Sequence, residues 1–215
     1  MPDRKIEDIR AAASFVSTMS FVKSVGYVAI CASAQYALAA LARGADIHSL
    51  ACVAGWFHDA RSVASFYGGK AGVTLRLRRA REAVERFLAS GDLSLVPAYD
   101  PGNDRAGMFF ELDYYGNEAR GRAPAWSNAM SEMSWLYWLT FDGLSAADRV
   151  NSPVLFIHSD GCALPDNLRN VHGRVKGRKE LIWYEDGAQI DFYDQPAYVD
   201  KAVDQLDNWF KKSLA

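Results

Sequence analysis

Apolar residues along the chain fall into two rhythms. Four short, nearly unbroken apolar runs stand out: Val25-Gly26-Tyr27-Val28-Ala29-Ile30, Leu50-Ala51-Cys52-Val53-Ala54-Gly55, Val154-Leu155-Phe156-Ile157-His158 and Glu180-Leu181-Ile182-Trp183-Tyr184. Runs of this length without polar alternation predict strands buried on both faces. Between them the period lengthens to that of a helix. Ile6, Ile9, Ala13 and Val16 share one helical face behind Asp3, a good N-cap residue. Residues 32–41 are small and helix-friendly and stop near Gly44. Residues 164–175 predict a third helix. Pro196 opens a last one with Val199, Val203, Leu206 and Phe210 on one face and Lys211 and Lys212 at its C-terminal end. Strands alternating with helices predict a parallel sheet covered by helices on both faces, a three-layer α/β core.

The rhythm breaks between residues 66 and 148. An amphipathic helix at 76–88 carries Arg76, Arg78, Arg79 and Arg81, and a loop rich in Pro, Gly and Asp follows at 97–105. Aromatic residues then crowd the chain, among them Tyr115, Trp126, Trp135 and Trp138, with no strand period. This stretch predicts a mostly helical cap inserted into a core made of residues 1–65 and 149–215. Trp56, Trp135 and Tyr115 are candidates to line an apolar substrate pocket. Packing of the cap is the competing role for such aromatics.

Composition narrows the function classes. Half of the 215 residues are apolar, 23% are charged, and the formal net charge is −2. That excludes a disordered or disulfide-dense chain and gives no reason to expect a polyanion partner. Glu82 and Glu85 follow the arginines of the 76–88 helix closely, so that face reads as solvated and no nucleic acid is expected. Cys31, Cys52 and Cys162 form no CxxC pair, which predicts reduced thiols in a cytoplasmic protein and no metal site. Gly68-Gly69-Lys70 lacks the rest of a phosphate loop, and no cofactor motif is present. The charged start predicts no signal peptide. The uncharged stretch at 24–42 is interrupted by Gly26, Ser33 and Gln35, so it predicts a strand and a buried helix and no membrane partner.

The most informative stretch is Ala29-Ile30-Cys31-Ala32-Ser33, where a strand gives way to a helix. A nucleophile elbow follows the pattern small-x-nucleophile-x-small because bulkier side chains clash in the tight turn. Such a turn lifts Cys31 above the sheet and aims the Ala32 amide at a developing oxyanion. The helix N-terminus is expected to favour a thiolate at Cys31. Taken alone, the motif leaves a second reading open, in which Cys31 is only a small buried hydrophobe.

Residues 25–38 resemble the elbow of the dienelactone hydrolase-like branch of the α/β-hydrolase superfamily, whose nucleophile is often cysteine. Three later segments are similar to the same branch: 133–142, His158-Ser159-Asp160-Gly161-Cys162-Ala163-Leu164-Pro165-Asp166-Asn167, and Gly187-Ala188-Gln189-Ile190-Asp191-Phe192-Tyr193-Asp194. The order of elbow, cap, acid loop and base loop is that of the superfamily. The resemblance implies an α/β-hydrolase core and an ester, lactone or thioester hydrolase acting on a small apolar substrate. It puts the catalytic acid on Asp160, where a helix cap or loop turn is the alternative role.

The base position departs from the pattern. Gln189 stands where the branch carries histidine, and an amide cannot accept a proton near neutral pH. Deleting one triad member costs on the order of 10⁴ in rate. Among His48, His58, His158 and His172, His58 is the one candidate stand-in. It follows the second strand at the end where such sheets bind ligands, and a hydrogen-bonded structural role is its alternative. The resemblance further implies strands ahead of the first helix, which supply a second oxyanion donor. Without them the core is N-terminally reduced, with about four strands and an open apolar edge at 27–30 that a second copy or a partner is expected to cover. Three readings follow: a cysteine hydrolase with an impaired triad, a catalytically degenerate binder of a small molecule, and an assembly subunit.

Overall fold

The structure, a computed structural model, describes residues 1–215. In chain order its regular elements are α1 (Pro2–Ser17), β1 (Gly26–Ile30), α2 (Ser33–Ala42), β2 (Ser49–Val53), α3 (Gly69–Ser90), β3 (Leu95–Pro97), α4 (Asp113–Gly116), β4 (Ala129–Ser131), α5 (Trp135–Trp138), β5 (Val154–Gly161), α6 (Pro165–Arg174), β6 (Lys179–Ala188), α7 (Asp191–Asp194) and α8 (Pro196–Ser213). They form two compact units: Pro2–Asp59 with Asp142–Ala215, and Ala60–Phe141 with Met1.

The first unit holds the sheet, ordered β1-β2-β5-β6 and parallel throughout. Residues in register across a parallel sheet share a face. Ala51, Val53, Leu155 and Ile157 therefore point one way, into a core closed by Ala202 and Trp209 of α8 and by Phe192 of α7. Phe156 points the other way, with its ring edge-on to His172 of α6. Helices cover both faces, as the alternation predicts. β2 is central, and all five of its side chains are buried. β6 runs on to Ala188, beyond the predicted run, with an irregularity opposite Ser159 and Gly161.

One detail differs from the hydrophobic pattern. The buried stripe of α8 runs through Ala202 and Trp209 with Leu206 beside it, and Val203 is 53% exposed. Trp209 sets this rotation, because its indole Nε1–H donates 2.9 Å to Ser49 Oγ at the foot of β2. β1 is the sheet edge, and Val28 and Ile30 are 44% and 45% exposed there.

The second unit is built on α3, a 22-residue helix closed by Gly91 at φ 79°. Arg76, on the buried face of α3, lies 4.9 Å from the Phe109 ring and 5.3 Å from that of Trp135, with Nη1–H donating to the Tyr67 carbonyl. Beside its helices the unit carries one short ribbon. β3 and β4 form a three-residue antiparallel ribbon, too short to leave a period in the sequence. No helix of the chain is long and apolar enough to cross a membrane.

Candidate active site

Cys31 follows β1 directly and adopts φ 56°, a left-handed conformation that costs a non-glycine residue about 1–3 kcal/mol. Its backbone is pinned on both sides. The Cys31 N–H donates to the Val53 carbonyl at 3.3 Å, and its carbonyl accepts from Trp56 at 2.9 Å and Ala34 at 3.1 Å. With the Cys31 N–H turned toward β2, parallel pairing turns the polar groups of Ile30 away to the open edge. Ser33 satisfies both: its Oγ accepts from the Ile30 N–H at 2.8 Å and donates to the Ile30 carbonyl at 2.7 Å. A small side chain at Ser33 thus admits the turn and caps the strand.

Hydrogen bonding by Tyr193, the Ala32 backbone and Gln189 acts to lower the Cys31 thiol from its ordinary value. Burial outweighs it and pushes the thiol up. This corrects the expectation of a thiolate favoured by the helix start. The Ala32 amide lies beside the nucleophile, where an elbow holds its oxyanion donor.

Gln189 lies in the loop after β6 and is held by three groups. Its Nε2 donates to the Ala54 carbonyl and to Tyr193 Oη, both at 2.7 Å, and its Oε1 accepts from the Ala163 N–H at 2.9 Å. Tyr193 lies four residues on, in α7, whose first turn Asp191 anchors by accepting from the Ala188 N–H.

Asp160 is brought to a different place. Its side chain is 69% exposed, with one oxygen paired with Arg169 Nη2 and the other accepting from Trp183 Nε1 at 3.3 Å. The Arg169 hydrogen bond holds the carboxyl below its usual range. Arg169 also stacks 3.8 Å over the Trp183 ring. Every hydrogen bond of Gln189 goes to the loop and strand ends around Cys31, and those of Asp160 go to this outer cluster.

His58 is fully buried, and its Nδ1 accepts from Trp56 Nε1 at 2.7 Å. That bond fixes a neutral tautomer with the proton on Nε2. Of the other pocket candidates, Trp135 is 2% exposed and packs edge-on to Tyr67 at 4.9 Å within its own unit. Tyr115 lies in an aromatic cluster with Tyr99, Tyr114 and Trp126. No group of three His, Cys, Asp or Glu side chains is placed to hold a metal ion. Tyr193 is the residue that sequence reasoning passed over. Its signal was the four-residue spacing from Gln189, the reach of one helical turn.

No protein-family model and no curated protein matches the sequence. Solved structures do match in shape. Hypothetical protein PA2218 from Pseudomonas aeruginosa superposes with a TM-score of 0.81 at 20% identity, over 99% of this chain and 68% of that one. The α/β hydrolase GrgF from Penicillium sp. sh18 gives 0.79 at 15% identity, over 99% and 72%. A monoacylglycerol lipase from Paleococcus ferrophilus gives 0.60 at 12% identity, over 94% and 73%. The shared feature at such identities is the fold, and the chain has an α/β-hydrolase fold.

Proposed function

We propose that this chain is a cysteine-type acyl-accepting protein of the dienelactone hydrolase-like kind, acting on a small ester, lactone or thioester and turning over slowly. The observation that carries the reading is Cys31 at φ 56° between β1 and α2, with the Ala32 amide against its sulfur. Backbone strain of this kind persists where surrounding structure enforces it, and a presented nucleophile is the use such turns serve.

In this reading Cys31 attacks the carbonyl and Ala32 holds the developing oxyanion. Attack by the thiol needs no partner base to be feasible, since sulfur is intrinsically nucleophilic. Release of the acyl group by water does need one, and Gln189 can only hydrogen-bond. Asp160 has no imidazole to orient and takes no part in the step. His58, tied to Trp56, is also outside it.

A second reading keeps the site but removes the reaction: the site holds its ligand without a covalent step. The upward push on the Cys31 thiol favours it. Steady-state hydrolysis of p-nitrophenyl acetate separates the two across the native protein, Cys31→Ala and Gln189→His. The acyl-accepting reading predicts slow turnover that is lost in Cys31→Ala and raised in Gln189→His. Native activity that survives Cys31→Ala would overturn it.

A further inference from the structure

The open edge of the sheet carries a pattern that fits itself. The Val25 carbonyl and the Cys31 N–H bond toward β2, at His48 and Val53. In a parallel ladder alternate residues turn both polar groups to the same side, so Gly26, Val28 and Ile30 turn theirs to the open edge. Ser33 Oγ takes both groups of Ile30. Gly26 and Val28 are what β1 offers to a further strand.

The sheet face beside that edge is apolar. Register places Gly26, Val28 and Ile30 on the face of Ala51 and Val53, the side that α8 covers. A Cβ on Gly26 would stand 2.8 Å from the Phe210 ring and 3.0 Å from Leu214, so the end of α8 closes over the start of β1. The helix runs against the strands, with Ser213 bonded to Ser49 at the foot of β2. Val203 shares a helical stripe with Phe210 and Leu214, which puts it on the flank toward β1 and further up the strand. Val28, Ile30 and Val203 are 44%, 45% and 53% exposed. The charges beside them are ordered: Lys23 and Lys211 lie at the foot of β1, and Asp200 lies a turn above Val203.

We propose that this edge pairs with the same edge of a second copy, β1 antiparallel to β1 about a two-fold axis at Tyr27. In that register Gly26 stands opposite Val28 of the second copy and Val28 opposite its Gly26, and each pair exchanges both hydrogen bonds. An axis at Val28 would set Gly26 against Ile30, whose polar groups Ser33 already holds. An axis at Gly26 would set Val28 against Ser24, which lies outside the strand and is tied to the Leu214 carbonyl. The two-fold sets Val28 and Ile30 toward Phe210 and Leu214 of the second copy, which lie over its Gly26. It also lays the Asp200 end of one α8 beside the Lys23 and Lys211 end of the other, so opposite charges face each other. An isologous contact of this kind closes on itself and removes an apolar edge from water.

The test is sedimentation equilibrium of the native protein, Val28→Lys and Val203→Lys at tens of micromolar, with circular dichroism to show that both variants are folded. The native chain should be a dimer, and each lysine should weaken it roughly 10²-fold. Cross-linking in a Cys31→Ala background reads the register. Tyr27→Cys should oxidise to a covalent dimer, because facing residues of a non-hydrogen-bonded pair have Cα atoms about 4.5 Å apart, within disulfide reach. Ile30→Cys should stay monomeric on denaturing gels, since its two copies lie about 20 Å apart along the strands. A monomeric native chain would leave the edge to a different occupant and overturn the proposal. So would a dimer that both lysine variants leave intact, or one that cross-links through Ile30→Cys.

Discussion

The two carboxyl-terminal regions of the sheet have opposite characters. After β1 lies a half-buried cluster, Cys31 with Ala32 and, from the segment after β6, Gln189 with Tyr193, all neutral side chains or backbone. Near the end of β5 lies an exposed one, Asp160 with Arg169 of α6 and Trp183 of β6, joined by an ion pair and a cation stacked on an indole. In a triad one imidazole would bridge an acid and a nucleophile. Here Gln189 spends its groups on Ala54, Ala163 and Tyr193, and Asp160 spends its own on Arg169 and Trp183. The elbow is held by backbone bonds from β2 and Trp56 and by the Ser33 cap, none of which needs the triad. The strained turn at Cys31 thus does not depend on the partners that Gln189 and Asp160 take.

The contrast can be broken at several points. The largest effect belongs to the Cys31 cluster: Cys31→Ala should lower acylation by p-nitrophenyl acetate at least about 10²-fold in a stopped-flow assay. Next comes acid sensitivity. Burial holds His158, on β5 beneath Trp183, down at about 4, with Arg169 also acting against its charge and Asp160 in its favour. An unfolded histidine titrates near 6.5. The unfolded chain thus takes up this proton first, and stability present above pH 6.5 is lost as the pH falls toward 4. The loss approaches about 3 kcal/mol. Urea midpoints at pH 7 and pH 5 should show this decline, and His158→Leu should flatten it.

Gln189→Ala should destabilise by about 1–3 kcal/mol, because the Ala54 carbonyl and the Ala163 N–H lose their partner. Chemical denaturation checks that value. A smaller effect separates two variants at the elbow: Cys31→Gly should be more stable than Cys31→Ala by about 1 kcal/mol, since glycine adopts positive φ without strain. The smallest belongs to the exposed cluster. Asp160→Asn should leave acylation unchanged, as an exposed pair contributes little. A large loss of acylation in Asp160→Asn would erase the distinction between the regions.

Much of the fold was legible because buried parallel strands write themselves as unbroken apolar runs. β2 and the first six residues of β5 are buried along their length, and both stand out in the sequence. The turn between β1 and α2 was legible for a different reason: a tight turn tolerates only small neighbours, and Ala29 and Ser33 are small. The rotation of α8 was not, because it depends on one indole reaching Ser49 across 160 residues of chain. The diversion of Asp160 was hidden for a similar reason. Arg169 sits nine residues on, in α6, and nothing in the local pattern tells its pairing from that of a surface arginine. The fate of the thiol was misjudged because the helix start was visible and the burial was not.

The most direct test is to locate the acyl group. Brief exposure of the native protein to p-nitrophenyl acetate, followed by proteolysis and tandem mass spectrometry, should find one acetyl group per chain on the peptide carrying Cys31. The adduct should persist after the ester is removed, for want of a base to activate water. An acetyl group found on another residue, or a Cys31 left unmodified while nitrophenol is steadily released, would contradict the account.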